Sequence, residues 1–140
     1  MSDNISEVLH KLILTYRSSI KQAASQSGID LPITHIRSLK CIKKIPDCRA
    51  TDISHRLRLD KSQVARIIKE LLSEGCIEKK PHPRNHRSQT LLLTRPGEEI
   101  MNAIHKIDQK MKSKMLLGLT DEQVQGFTVI ADIMINNLSD

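Results

Sequence analysis

Between Asp60 and Thr94 the chain changes its periodicity once, and that change limits what it can fold into. Val64, Ile67, Ile68, Leu71 and Leu72 recur at the three- and four-residue spacing of one helix face. Asp60 ahead of them is a good N-cap, Gln63 three residues later completes a capping-box pattern, and Gly75 stops the helix. The helical spacing then ends. Cys76 to Lys80 reads as a short strand and Gln89 to Thr94 as a second, rich in leucine. Between them, Pro81-His82-Pro83-Arg84-Asn85-His86-Arg87-Ser88 is a polar connection stiffened by two prolines. The unit expected here is an amphipathic helix leading into a β-hairpin with a basic tip.

The flanking segments read as helices. Ile5, Val8, Leu9, Leu12, Ile13, Tyr16 and Ile20 mark a first, closed by Gly28 and Pro32. Ile36, Leu39, Ile42 and Ile45 mark a second, ended by Pro46 and Asp47. A short third runs from Thr51 to Leu57, and Arg58-Leu59 make a tight turn into the Asp60 cap. Beyond the hairpin, Thr94 caps a fifth helix carrying Ile100, Met101, Ile104, Ile107, Met111 and Met115, which Gly118 ends. Thr120 and Gln123 open a sixth with Val124, Phe127, Ile130, Ala131, Met134 and Leu138. The fold class is mainly α with a small β-hairpin.

Charge is distributed unevenly. The net charge is +6, yet residues 37–95 hold 15 Lys and Arg against 6 Asp and Glu, a local balance of +9. A basic middle between neutral-to-acidic ends is the electrostatic footprint of a nucleic-acid binder. Around the capped helix the outward residues are Lys61, Ser62, Gln63, Arg66 and Lys69. A helix of ~12 Å diameter fits the major groove of B-DNA, where Gln can pair with adenine and Arg with guanine through two bonds. Ser62, Gln63 and Arg66 are therefore the expected base-reading residues; Arg56, Lys61 and Lys69 are better placed for phosphates. At the hairpin tip, Arg84, His86 and Arg87 could enter a minor groove. The expected partner is double-stranded DNA.

With no Trp, one Tyr and one Phe, the core must be aliphatic, and a short helical chain of this kind often completes its core by oligomerising. The last apolar stripe has no following element to bury it. A homodimer follows, with dimerisation helices over 1–31 and 96–140 around a DNA-binding module over 32–95. No apolar stretch approaches the ~20 residues of a membrane span, and Cys41, Cys48 and Cys76 form no metal or disulfide framework. The expectation is a cytoplasmic protein with reduced thiols, no cofactor, no metal and no membrane association.

The order of these elements resembles the MarR family of bacterial regulators, and within it the SlyA type. The resemblance rests on Tyr16-Arg17, on Leu31-Pro32-Ile33-Thr34-His35, on Leu59-Asp60-Lys61-Ser62, on the run from Leu71 to Lys79, on Leu93-Thr94-x-x-Gly97 and on Leu119-Thr120-x-Glu122-Gln123. It implies a winged helix-turn-helix that represses transcription from a pseudo-palindromic operator, and a small anionic aromatic effector that releases it. The resemblance also implies that Tyr16, Arg17, His35 and Ser38 face the effector crevice. Two positions depart from the pattern. The wing reads Asn85-His86-Arg87 where Asp-x-Arg is usual, and Arg58 stands where the turn commonly has Gly, a costly choice if φ is positive there.

Other readings are open on the same residues. Cys41 is expected in the core, whereas Cys48, in a loop, could be exposed and serve a thiol-based redox sensor. His82 and His86 share the tip but lack a third ligand for a metal sensor. A winged helix used only for protein contacts conflicts with the central charge. With no phosphate-binding loop, metal constellation or nucleophile elbow, an enzyme is not expected.

Overall fold

The computed structural model describes residues 4–139. The elements are α1 (Ile5–Gln26), α2 (Ile33–Lys44), α3 (Ala50–Leu57), α4 (Lys61–Ser73), β1 (Ile77–Pro81), β2 (Gln89–Leu93), α5 (Arg95–Met115) and α6 (Asp121–Leu138). Six helices and one antiparallel hairpin are the expected fold class. The strands sit about one residue from the positions read off the sequence. Their register runs from Ile77 opposite Leu93 to Pro81 opposite Gln89, so Pro81, which has no N–H for the ladder, closes the strand.

Two compact units divide within α5, one reaching Asp108 and the other starting at Gln109. The first contains a single core. Leu39 from α2, Ile53 from α3, Val64 and Leu71 from α4 and Cys48 from the α2–α3 connection are almost wholly excluded from solvent, joined by Ile77 of β1 and Leu91 of β2. The periodicities of α2 and α4 thus converge on one apolar centre, and each leaves its opposite face to water.

Caps set the helix starts. The Asp60 carboxylate accepts the Gln63 N–H at 2.8 Å, and the Gln63 side-chain oxygen accepts the Asp60 N–H at 3.2 Å. Thr120 and Gln123 repeat the arrangement at α6. At α5, the Thr94 hydroxyl accepts the Gly97 N–H at 3.2 Å and donates to the Gly75 carbonyl, while the Thr94 N–H reaches the Cys76 carbonyl at 3.0 Å. Gly97 lies hard against this joint. A Cβ there would stand 2.0 Å from the Cys76 carbonyl oxygen, so only glycine fits.

The apolar stripes of α1 and α6 are not buried within one chain. Ile5, Val8, Leu9, Leu12, Ile13 and Tyr16 are exposed on α1, as are Phe127, Val129, Ile130, Ile133 and Ile135 on α6. Among the described residues, α6 buries none of its own and α1 buries only Ile20 and Ala24.

Candidate nucleic-acid interface

The turn between α3 and α4 determines how the two helices meet. Arg58 adopts the left-handed conformation, with φ 55° and ψ 48°. The position does require positive φ, and Arg bears a strain that Gly would not. The Ser54 hydroxyl braces the turn by donating to the Leu59 carbonyl at 2.6 Å. The Leu59 N–H also bonds to the Ser54 carbonyl at 3.1 Å, and α4 starts with Lys61, Ser62 and Gln63 in solvent.

Lys61, Ser62, Gln63, Arg66 and Lys69 all lie on the exposed face of α4, opposite buried Val64, Ile67, Ile68 and Leu71. Arg66 makes only a loose contact on its own helix. Its Nε lies 3.9 Å from Glu70, too long for a hydrogen bond, and its side chain is largely in water. Gln63 has two duties in sequence terms, and in this structure its amide oxygen is held by the cap, leaving its NH2 to donate. Arg56 is exposed in the last turn of α3.

The hairpin stands beside α4. A cleft of about 680 Å³ separates them, with Lys69 on one side, His86 and Arg87 on the other, and Ile68, Leu72 and Leu91 at its floor. Arg49, Thr51 and Lys79 also line it. Sequence reasoning missed these three, because nothing in their spacing says that the start of α3 and the middle of β1 share a cleft with α4. Arg84 is exposed at the tip.

The tip is braced without an acid. Asn85 Oδ1 accepts the Arg87 N–H at 3.1 Å, and Ser88 N–H donates to the Asn85 carbonyl at 2.9 Å. Asn85 thus accepts a hydrogen bond where an Asp would form an ion pair. His82 contributes a brace that the sequence did not suggest: its Nδ1 accepts the N–H groups of Arg84 and Asn85 at 3.1 and 3.2 Å.

The four residues tied to an effector have different environments. Tyr16 and Arg17 are exposed on α1. Ser38 is fully buried on α2 and its hydroxyl donates to Thr34 at 2.7 Å. His35 is buried too, and its Nε2 lies 3.6 Å from Glu70 of α4 with no hydrogen-bond partner.

Cys48 needs a correction. Although it lies in a loop, it is 1% exposed, because the Leu91 N–H of β2 bonds to its carbonyl at 2.8 Å and draws the loop onto the hairpin. Burial pushes its thiol up to about 12, with the Asp52 carboxylate adding to the shift. Burial also raises Cys41 and Cys76, against the pull of Arg56 and Arg37 in the case of Cys41. Buried protonated thiols are poor nucleophiles.

A helix, a tight turn, a second helix with an exposed polar face and an adjoining hairpin define a winged helix-turn-helix protein. Residues 31–89 match the model of the MarR family. The chain is 29% identical over 111 residues to the HTH-type transcriptional regulator BilQ of Clostridium symbiosum, a match covering 79% of this chain and 76% of that protein. In fold it is similar to Bordetella bronchiseptica BpsR, described as having its DNA binding regulated by 6-hydroxynicotinic acid, with a TM-score of 0.82, 15% identity and coverage of 100% of this chain and 97% of that one. A mutant of S. aureus MepR bound to an oligodeoxyribonucleotide matches with a TM-score of 0.63 and 16% identity, covering 99% of this chain and 100% of that one. No helix among the described residues is long and apolar enough to cross a membrane.

Proposed function

We propose that this chain is a SlyA-type member of the family that represses transcription as a homodimer on a pseudo-palindromic operator. The observation that carries the reading is the exposed face of α4, with Ser62, Gln63 and Arg66 free of the core beside a hairpin tipped by Arg84, His86 and Arg87. In this reading α4 enters the major groove, Arg66 and Gln63 read base edges, Arg56, Lys61 and Lys69 hold phosphates, and the tip follows the minor groove. In this reading residues 1–31 and 96–140 serve dimerisation and 32–95 bind DNA. The unburied stripes of α1 and α6 support the pairing, because their aliphatic area gains most by meeting a second copy. Two α4 helices about one turn of DNA apart, ~34 Å, then meet two half-sites.

The test is selection of bound sequences from random duplex DNA, followed by gel shifts. A two-fold symmetric consensus is expected, with affinity falling steeply as salt rises. Arg66→Ala should cost ~1–3 kcal/mol on that consensus and relax the preference at one base position per half-site. Equal binding of all sequences by the unaltered protein would defeat the reading.

For the effector we take an aromatic carboxylate. Arg17, exposed on α1 beside Tyr16, would pair with the carboxylate. The description of BpsR as regulated by a heteroaromatic carboxylic acid supports that ligand class. Titrating a phenolic acid into the protein–DNA complex should release the DNA at micromolar ligand, and Arg17→Ala should raise the concentration needed; indifference to such acids would remove the effector from the reading.

A further inference from the structure

A second basic concavity lies off the recognition helix and the hairpin. Arg37, Lys40 and Lys44 fall on one side of α2 by their three- and four-residue spacing, and Arg56 reaches the same place from α3. With Cys41, Ile45 and Leu57 they enclose a pocket of about 210 Å³. That is below the ~300–1,000 Å³ usual for drug-sized ligands and suits an anion of headgroup size.

Three of the four cations lack a matching acid. No acidic residue lines the pocket. Lys40 pairs with Asp108 at 2.7 Å. Among the described residues, Arg37, Lys44 and Arg56 have no carboxylate within ion-pairing distance, whereas the neighbouring Lys43 has Glu98 at 2.7 Å. Asp52, one turn before Arg56, has its Oδ2 on the Arg49 N–H at 2.8 Å. The carbonyl ends of α2 and α3 account for Lys44 and Arg56 singly. They do not account for Arg37, in the first half of α2, nor for all four around one hollow with partly apolar walls, where like charges repel more strongly than in open water.

We propose that this pocket binds a phosphate group, supplied either by the DNA backbone outside the recognition helix or by a free phosphate-bearing molecule. Arg37 and Lys44 are the residues to test, since neither belongs to the base-reading or hairpin set. The backbone source rests on the DNA-binding reading; the free source does not.

Two measurements on the full chain separate these sources. The first titrates inorganic phosphate, against chloride at matched ionic strength, and follows backbone amide NMR shifts. Saturable shifts confined to the residues around 37–45 and 54–57 are expected, and Arg37→Ala/Lys44→Ala should abolish them. The second compares how duplex affinity depends on salt. If the group is a DNA phosphate, the double variant lowers the log–log slope by about 0.9 per subunit while base preference stays as it was. Saturable phosphate shifts with an unchanged slope assign the pocket to a free ligand. Shifts that survive the double substitution, or no shifts together with an unchanged slope, overturn the proposal. Arg37→Gln alone, giving a smaller change in the same direction, serves if the double variant does not fold. Failure of the unaltered protein to bind any duplex would sink the DNA reading, yet the phosphate titration would still decide the pocket.

Discussion

Arg58 sits in a conformation that side chains avoid, at the sharpest bend of the DNA-binding module. Left-handed backbone costs a residue with Cβ roughly 1–2 kcal/mol. The Arg58 side chain has an interaction of its own, so the net gain from Arg58→Gly is expected at about 0.5–1 kcal/mol. Urea denaturation measures it. A loss of stability of that size would mean the side chain outweighs the backbone strain. Cys48 gives a second residue-scale prediction. Its folded thiol is raised from the ordinary value of 9.0 to about 12, so the folded state holds its proton more tightly than the unfolded chain. Stability from this site is therefore complete below pH 9.0 and declines as pH rises towards about 12. Thermal melts across that window should show the decline, and Cys48→Ala should make it shallower. The same burial predicts slow alkylation and no change in DNA binding after peroxide; rapid modification of Cys48 at neutral pH would revive redox sensing.

Among the elements, α4 depends most on its start. Asp60→Ala removes the side-chain acceptor for the Gln63 N–H, at a cost of ~0.5–2 kcal/mol. Because the same turn carries Ser62 and Gln63, duplex affinity should fall with stability. Affinity intact beside lost stability would separate the cap from the interface. The elements were legible in the sequence because their signals are local: Asp60 and Gln63 cap α4, Thr120 and Gln123 cap α6, and Gly75 and Gly118 take positive φ after α4 and α5. The strained turn at Arg58 was legible for the same reason. What escaped reading depends on contacts between distant residues. Cys48 is buried by a bond to Leu91, and Arg49 and Lys79 share a cleft with Lys69 only once the hairpin folds beside α4. The polar face of α4 followed from spacing alone; its neighbours did not.

For the molecule as a whole, the unpaired apolar faces of α1 and α6 carry the expectation of a dimer. Sedimentation equilibrium should give twice the chain mass, and Leu12→Asp or Phe127→Asp, each at an exposed apolar position, should shift the population towards monomer and weaken operator binding. A monomer at tens of micromolar for the unaltered chain would contradict it. The joint at Thr94 bears on how such an assembly could respond. Thr94 is bonded to both Gly75 and Cys76, and Gly97 leaves no gap against the Cys76 carbonyl, so the first turn of α5 and the root of the hairpin are welded. A tilt of that turn becomes a swing at the tip, where a lever some residues long magnifies it. Spin labels on the first turn of α5 and on β1 should keep one fixed separation whether or not DNA or an aromatic acid is added, with any motion shared by both.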